Sequence, residues 1–273
     1  MYEAFYGLKE KPFSIQPDPD FLFMGKRHSL AYATLEYSIR NKAGFCVISG
    51  EIGSGKTTLI RHLLNNLGQE FNVGLVYNTH QDVANLLEWV LLAFGLPYQN
   101  TSQVALYDEF QRFLIAQYGA GKRVLLIVDE AQNLSPGALE SLRMLSNINA
   151  DKDQLLQMIL VGQPQLRDVL RRPEMQQFVQ RVSAHFFIPP LEIPEVLRYI
   201  QHRLKVSGRE APLFSPSACV RIAKASRGIP RTINILCDTA LVYGFSGAAA
   251  KIDVRLIEEV IRDQGKYGVF PIE

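Results

Sequence analysis

Phe45-Cys46-Val47-Ile48-Ser49-Gly50-Glu51-Ile52-Gly53-Ser54-Gly55-Lys56-Thr57-Thr58 sets an apolar, strand-length run directly before a glycine-rich loop. The loop opens a stretch with helical spacing at residues 59–67. Gly-x-x-x-x-Gly-Lys-Thr between a strand and a helix is the pattern of a phosphate-binding loop. Glycines let the backbone wrap closely, so its N–H groups and the helix N-terminus face a polyphosphate. On this reading Gly50, Glu51, Ile52, Gly53, Ser54, Gly55, Lys56, Thr57 and Thr58 form the cradle. Lys56 reaches the β- and γ-phosphates, and Thr57 holds Mg²⁺. A dinucleotide loop is excluded, because Lys56-Thr57-Thr58 stands where its third glycine is required.

A second motif completes the chemistry. Val124-Leu125-Leu126-Ile127-Val128 is a wholly apolar strand that delivers Asp129 and Glu130 to the sheet's carboxyl edge, 73 residues after Lys56. Asp129 is placed to orient the Mg²⁺ shell beside Thr57. Strand side chains alternate, so Glu130 points elsewhere and is the candidate base that activates the attacking water. The pair also reads as a cap on an expected helix at residues 131–142. A further strand at 158–161 ends at Gly162-Gln163-Pro164, which puts the Gln163 amide near the γ-phosphate. Asn78 ends an expected strand at 73–77 and is placed to hold Glu130 until a partner binds. An ordinary strand-end polar group is the other reading of both side chains.

Working outward, short apolar runs at 44–49, 73–77, 124–128 and 158–161 alternate with longer stretches of helical spacing. One of those stretches covers residues 29–41. Such alternation predicts an α/β fold whose mainly parallel sheet is covered by helices on both faces. After Pro189-Pro190 the character changes, and residues 194–206, 215–226, 230–245 and 253–264 all read as helices. Ser215-Pro216 gives an N-cap followed by proline at the first helical position. The expected division is therefore residues 1–190 as a nucleotide-binding α/β domain with an N-terminal aromatic arm, and 191–273 as a small all-helical lid.

Net charge is +2, from 29 Lys and Arg against 27 Asp and Glu, which leaves no overall electrostatic footprint for nucleic acid. Cys46, Cys219 and Cys237 are odd in number and lie in apolar sequence, as reduced core thiols do. The five histidines make no metal-ligand spacing. Met1-Tyr2-Glu3-Ala4-Phe5 lacks the basic and apolar regions of a signal peptide. These signs lead to the expectation of a cytoplasmic protein.

Arginines distinguish an assembling phosphate-loop protein from a solitary one. Arg181 stands just ahead of the expected last core strand, where a guanidinium can reach a neighbouring subunit's nucleotide. Arg171 and Arg172 compete for that role, and an exposed helix-end arginine is the alternative. Arg231 follows Gly228-Ile229-Pro230 at a helix start, where the dipole disfavours a cation, so a role toward the γ-phosphate is favoured.

Together these features resemble an AAA+ ATPase. Met1-Tyr2-Glu3-Ala4-Phe5-Tyr6-Gly7-Leu8, Lys11-Pro12-Phe13 and Pro17-Asp18-Pro19 with Phe21 are similar to the opening of the ExeA/GspA-like secretion ATPases. So are Val128-Asp129-Glu130-Ala131-Gln132-Asn133-Leu134, Leu142-Arg143-Met144-Leu145-Ser146-Asn147 and Leu160-Val161-Gly162-Gln163-Pro164. That branch includes the ATPases of MSHA-pilus biogenesis and of exosortase and exopolysaccharide systems. The resemblance implies ATP and Mg²⁺ as ligands, with Gln163 as sensor 1, Arg181 as the finger and Arg231 as sensor 2. It also implies a nucleotide-dependent homo-oligomer such as a ring, inner-membrane export or pilus components as partners, and a peripheral inner-membrane location. Secretion members continue into a transmembrane helix and a periplasmic cell-wall-binding domain, so the expectation is a short member or part of a longer chain.

The competing function is a DNA-binding regulator resembling transposition-helper ATPases. Lys205, Arg209, Arg221, Lys224 and Arg227 are its candidate surface, and a solvated helix face is their bland reading. A small-molecule kinase lacks a recognisable acceptor site. Phe5, Tyr6, Phe13, Phe21 and Phe23 either seal a core edge or flank the adenine or a neighbouring protomer. Trp89 with Leu86, Val90 and Phe94 follows helical spacing and is expected in the core.

Overall fold

The computed structural model describes residues 1–77, 86–99, 102–150 and 152–268. In chain order its elements are α1 (Glu3–Tyr6), α2 (Lys26–Arg40), β1 (Phe45–Gly50), α3 (Lys56–Asn65), β2 (Phe71–Val76) and α4 (Leu86–Ala93). Next come α5 (Gln103–Gly119), β3 (Arg123–Val128), α6 (Pro136–Leu145), β4 (Asn149–Ala150), β5 (Asp153–Gln154) and β6 (Leu156–Gly162). The remainder is α7 (Pro164–Leu170), α8 (Gln176–Val179), β7 (Val182–Ile188), α9 (Ile193–Val206), α10 (Pro216–Ala225), α11 (Pro230–Ser246) and α12 (Val254–Tyr267). The chain forms two units: Leu30–Gly50 with Leu63–Ile188, and Met1–Ser29 with Glu51–His62 and Pro189–Glu273.

In the first unit, five strands among the described residues make one parallel sheet in the order β2-β3-β6-β1-β7. Every residue of β1 and β6 is buried, which is why residues 45–48 and 158–161 read as apolar runs rather than as alternation. One sheet face, with Val47, Val124, Leu126, Val128, Met158 and Leu160, packs on α4, α5 and α6 through Val90, Phe110 and Leu142. On the other face, buried Gln157 donates to the Ile39 carbonyl at 3.1 Å and accepts from Arg123 at 2.8 Å. These bonds satisfy a polar side chain that would be costly in the core and pin the end of α2 to the sheet.

Two expectations about helices need correction. The helix expected over residues 131–142 is a 3₁₀ turn, Ala131–Asn133, followed by α6, which begins at Pro136. Ser135 caps α6 by accepting from the Ala138 N–H at 3.1 Å, with Pro136 at the first helical position. Trp89 is 45 % exposed, although α4 forms as expected and buries Leu86, Val90 and Leu91. At 100° per residue those three centre the buried face about 120° from Trp89, which therefore points outward.

The second unit is built on α9 to α12, and the N-terminal arm belongs to its core. Tyr2, Tyr6, Leu8 and Phe13 pack with Ile200, Phe214, Leu236 and Ile257. Phe13 meets Phe214 edge to face at 5.7 Å between centroids, and Phe23 meets Tyr199 likewise at 5.8 Å. Arg203 donates from Nε to the Pro12 carbonyl and lies 4.6 Å over the Phe21 ring. Of the two readings of the arm, sealing a core describes Tyr6, Phe13 and Phe21, whereas Phe5 is half exposed. Residues 1–29 thus group with the helical unit, whereas the division at Pro190 assigns them to the α/β part. All three cysteines are buried and unpaired, and burial pushes the Cys46 and Cys219 thiols up to about 11.

Gly228 closes the turn between α10 and α11 at φ +72°, and a Cβ added there would lie 2.0 Å from the Leu191 carbonyl oxygen. The Leu191 N–H also donates to the Gly228 carbonyl at 2.9 Å, so neither backbone can retreat without losing that bond. Gly228→Ala should therefore destabilise the helical unit by about 3 kcal/mol or more, read as a fall in the urea midpoint. A midpoint unchanged from wild type would contradict this packing.

Candidate nucleotide site

The phosphate loop lies in the helical unit's set of segments, and its neighbours there are Arg231 and His28. Gly53 and Gly55 take φ of +78° and +94°, conformations open to glycine, and the loop tightens through Ser54 N–H donating to the Glu51 carbonyl at 3.1 Å. A Cβ at Gly53 would sit 2.4 Å from Arg231 Cβ, and the Arg231 N–H donates to the Gly53 carbonyl at 3.2 Å. The start of α11 is thus tied to the loop. His28 donates from Nε2 to the Ser54 carbonyl at 2.9 Å; burial holds its imidazole below the ordinary value, so the ring is neutral at pH 7. Lys56 is buried and donates from Nζ to the Glu51 carbonyl at 2.9 Å. A phosphate oxygen would be a stronger, charge-assisted acceptor for the same ammonium.

In the α/β unit, β3 and β6 are adjacent, so the residues that follow them meet at one sheet edge. The Asp129 N–H donates to the Val76 carbonyl at 2.9 Å, continuing the ladder past β3, and Asp129 Oδ1 accepts from the Glu130 N–H at 2.9 Å. Glu130 adopts φ 55°, ψ 36°, a left-handed conformation uncommon for a side-chain-bearing residue and frequent at working sites. Its Oε2 accepts from Gln163 Nε2 at 3.1 Å and from Gln132 Nε2 at 2.6 Å. Gln163 therefore lands beside Glu130, while Gln132 is a partner that sequence reasoning missed. The available signal was the 3₁₀ turn implied by Ser135-Pro136: a continuous helix carries residue 132 away from residue 130, and a short turn folds it back.

Arg181 immediately precedes β7 and is exposed, and it donates from Nη2 to Asn147 Oδ1 at 2.7 Å. Arg171 and Arg172 instead line a cavity of about 570 Å³ with Arg167, Gln176 and His185. His185 bonds Ser49 Oγ through Nε2 at 2.9 Å; burial first, then the charges of Arg167 and Arg171, hold it below its ordinary value. Asn78 lies outside the described residues. Thr57 stands in the first turn of α3 in one unit and Asp129 follows β3 in the other, each carrying a hard oxygen donor. No group of three or more His, Cys, Asp or Glu placed to hold a metal occurs among the described residues, and a phosphate-borne ion does not need one. No helix among them is long and apolar enough to cross a membrane.

A family model described as an AAA domain matches residues 39–170. General secretion pathway protein A of Aeromonas hydrophila is 41 % identical over 98 % of this chain. The chain spans 50 % of that protein's length. Similar solved structures include Aeropyrum pernix ORC2 with ADPNP and ADP, at TM-score 0.70 and 16 % identity over 93 % of this chain and 72 % of that one. Cdc6p of Pyrobaculum aerophilum gives TM-score 0.66 and 16 % identity over 90 % and 70 %. The Thermotoga maritima RuvB branch migration motor gives 0.53 and 16 % over 93 % and 73 %. At such identities these three speak to fold alone. The parallel sheet, the phosphate loop and the Asp129-Glu130 edge are those of an AAA+ fold, and over nearly its whole length the chain is similar to general secretion pathway protein A.

Proposed function

We propose that the chain binds ATP with Mg²⁺ and hydrolyses it where two copies meet, and that this drives assembly of an envelope export system. The system is of the type II secretion, pilus or exopolysaccharide kind, served from the inner face of the inner membrane. The observation that carries the hydrolysis is the Glu130–Gln163 pair, a carboxylate and an amide joined at 3.1 Å beyond the ends of adjacent parallel strands. Ligands of open α/β sheets bind at that edge.

In the proposed reaction Lys56 and the loop N–H groups hold the β- and γ-phosphates, and Thr57 and Asp129 hold Mg²⁺. Held by these residues, the ion would supply neutralising charge at the phosphates. Glu130 takes the proton from the attacking water, and Gln163 orients the γ-phosphate. Arg231 brings residues 191–273 to the nucleotide as a lid. Arg181 reaches the nucleotide of the next copy, which makes turnover depend on assembly.

The alternative, a DNA-binding regulator, draws on the basic residues of the helical unit. There Lys205 pairs with Glu210 at 3.5 Å and Arg221 with Glu258 at 2.6 Å. Arg209 donates to the carbonyls of Ala211 and Tyr6. With Lys205, Arg209 and Arg221 engaged within the chain, the assembly reading is favoured.

One experiment separates them: ATP turnover per subunit against protein concentration, for wild type and Arg181→Ala, with and without duplex DNA. Wild-type specific activity should rise with concentration without DNA, and Arg181→Ala should bind ATP normally yet stay at least roughly 10³-fold below wild type at the plateau. An absolute requirement for DNA would favour the regulator. A variant with wild-type, concentration-dependent turnover would remove Arg181 from the finger role.

A further inference from the structure

Gln132 makes three contacts in the α/β unit. Its Nε2 donates to Glu130 Oε2 at 2.6 Å and approaches Asn133 Oδ1 at 3.5 Å, and its Oε1 accepts from the Gln163 backbone N–H at 2.9 Å. The orientation of the amide follows from chemistry: a backbone N–H can meet only the oxygen, so the nitrogen must face the carboxylate. Gln163 Nε2 returns to the same Glu130 oxygen at 3.1 Å, closing a three-residue ring. The left-handed backbone at Glu130 and the 3₁₀ turn Ala131–Asn133 bring a side chain two residues away back onto the carboxylate.

Resting on the reading of Glu130 as the base, we infer that Gln132 is a positioning residue that fixes the Glu130 carboxylate to the end of β6, so that Glu130 and Gln163 act as one unit. Two amide donors on one oxygen restrict the rotation of a long carboxylate side chain, and the backbone N–H anchors the first donor to a rigid buried strand. A general base misplaced by about 1 Å loses up to roughly 10²-fold in rate, so such a restraint has kinetic consequences. Substrate affinity is untouched, because Gln132 acts through Glu130 and not on the phosphates.

Two isosteric substitutions divide the contacts. Gln132→Met removes donor and acceptor, whereas Gln132→Glu keeps an oxygen for the Gln163 N–H but loses the donor to Glu130. Steady-state kinetics on the whole chain should show kcat falling roughly 10- to 100-fold in both, with KM for ATP within twofold of wild type. In the Glu130→Gln background neither should cost anything further, because they act through that carboxylate. Amide hydrogen exchange without nucleotide should accelerate at Gln163 in Gln132→Met and stay slow in Gln132→Glu. The inference is overturned by kcat within twofold of wild type in both variants, by KM rising in step with the fall in kcat, by additive loss in the Glu130→Gln background, or by unchanged Gln163 exchange in Gln132→Met. A turnover-competent Glu130→Gln would instead overturn the base assignment itself, and an arrested Glu130→Gln with normal Gln132 variants would overturn only the role of Gln132.

Discussion

Lys56→Ala should abolish ATP binding while the protein stays folded. The ammonium is buried in the loop and already donates to the Glu51 carbonyl at 2.9 Å, so the side chain is directed over the cradle and not into solvent. Hydrogen bonds to charged groups contribute about 1.5–3 kcal/mol each, and Lys56 would make two, one to each of the β- and γ-phosphates. Their joint loss of about 3–6 kcal/mol corresponds to roughly 10²- to 10⁴-fold in Kd. Against this, the loop bond to the Glu51 carbonyl contributes about 1 kcal/mol, small beside the stability of an ordinary domain. Calorimetric titration with Mg-ATP, alongside thermal melting, checks both halves. Near-normal affinity in a folded variant would remove the loop from nucleotide binding.

What could be read in the residues depended on how local the cause was. The phosphate loop is legible because glycine spacing, an entering strand and a departing helix all lie within 23 residues, 45–67. The four expected strands are legible because a sheet buried on both faces demands unbroken apolar runs, and β1, β2, β3 and β6 form within two residues of the expected bounds. The arm is different. Its aromatic content is visible, but its partners at Phe214, Leu236 and Ile257 are some two hundred residues away, and no periodicity in the arm names them. Trp89 failed for a subtler reason: spacing selects a helical face, and Leu91 shifts the centre of that face beyond what Leu86 and Val90 indicate.

The site shows the same contrast. Glu130 and Gln163 were placed by strand ends, which act over one or two residues, and the structure joins them. Gln132 escaped because its position depends on a backbone reversal at Glu130 and on an early stop to the turn that follows. The rule that found Ser215-Pro216 as a helix start applies equally to Ser135-Pro136, and would have placed the turn correctly. Arg231 was inferred from an unfavourable charge at a helix start, and the Gly53 contact supplies a local reason for that placement.

Glu130→Gln should bind ATP and fail to hydrolyse it. The substitution replaces one carboxylate oxygen by an NH₂ group and retains the other, so the donors Gln132 Nε2 and Gln163 Nε2 still find an acceptor of the same reach. Asp129 keeps its bond to the residue 130 N–H, because that contact involves only backbone on the Glu130 side. The left-handed backbone is also undisturbed, since the two side chains have the same size and branching. What disappears is the capacity to take a proton from water, a contribution of roughly 10²- to 10⁴-fold in rate. Single-turnover measurements with saturating Mg-ATP should therefore show a hydrolysis step slowed by about that factor. ATP affinity should hold within a few-fold of wild type, because ground-state binding rests on the loop and not on the base. Turnover at the wild-type rate would transfer the base to another residue, and a parallel loss of affinity would mean that Glu130 shapes the nucleotide site itself.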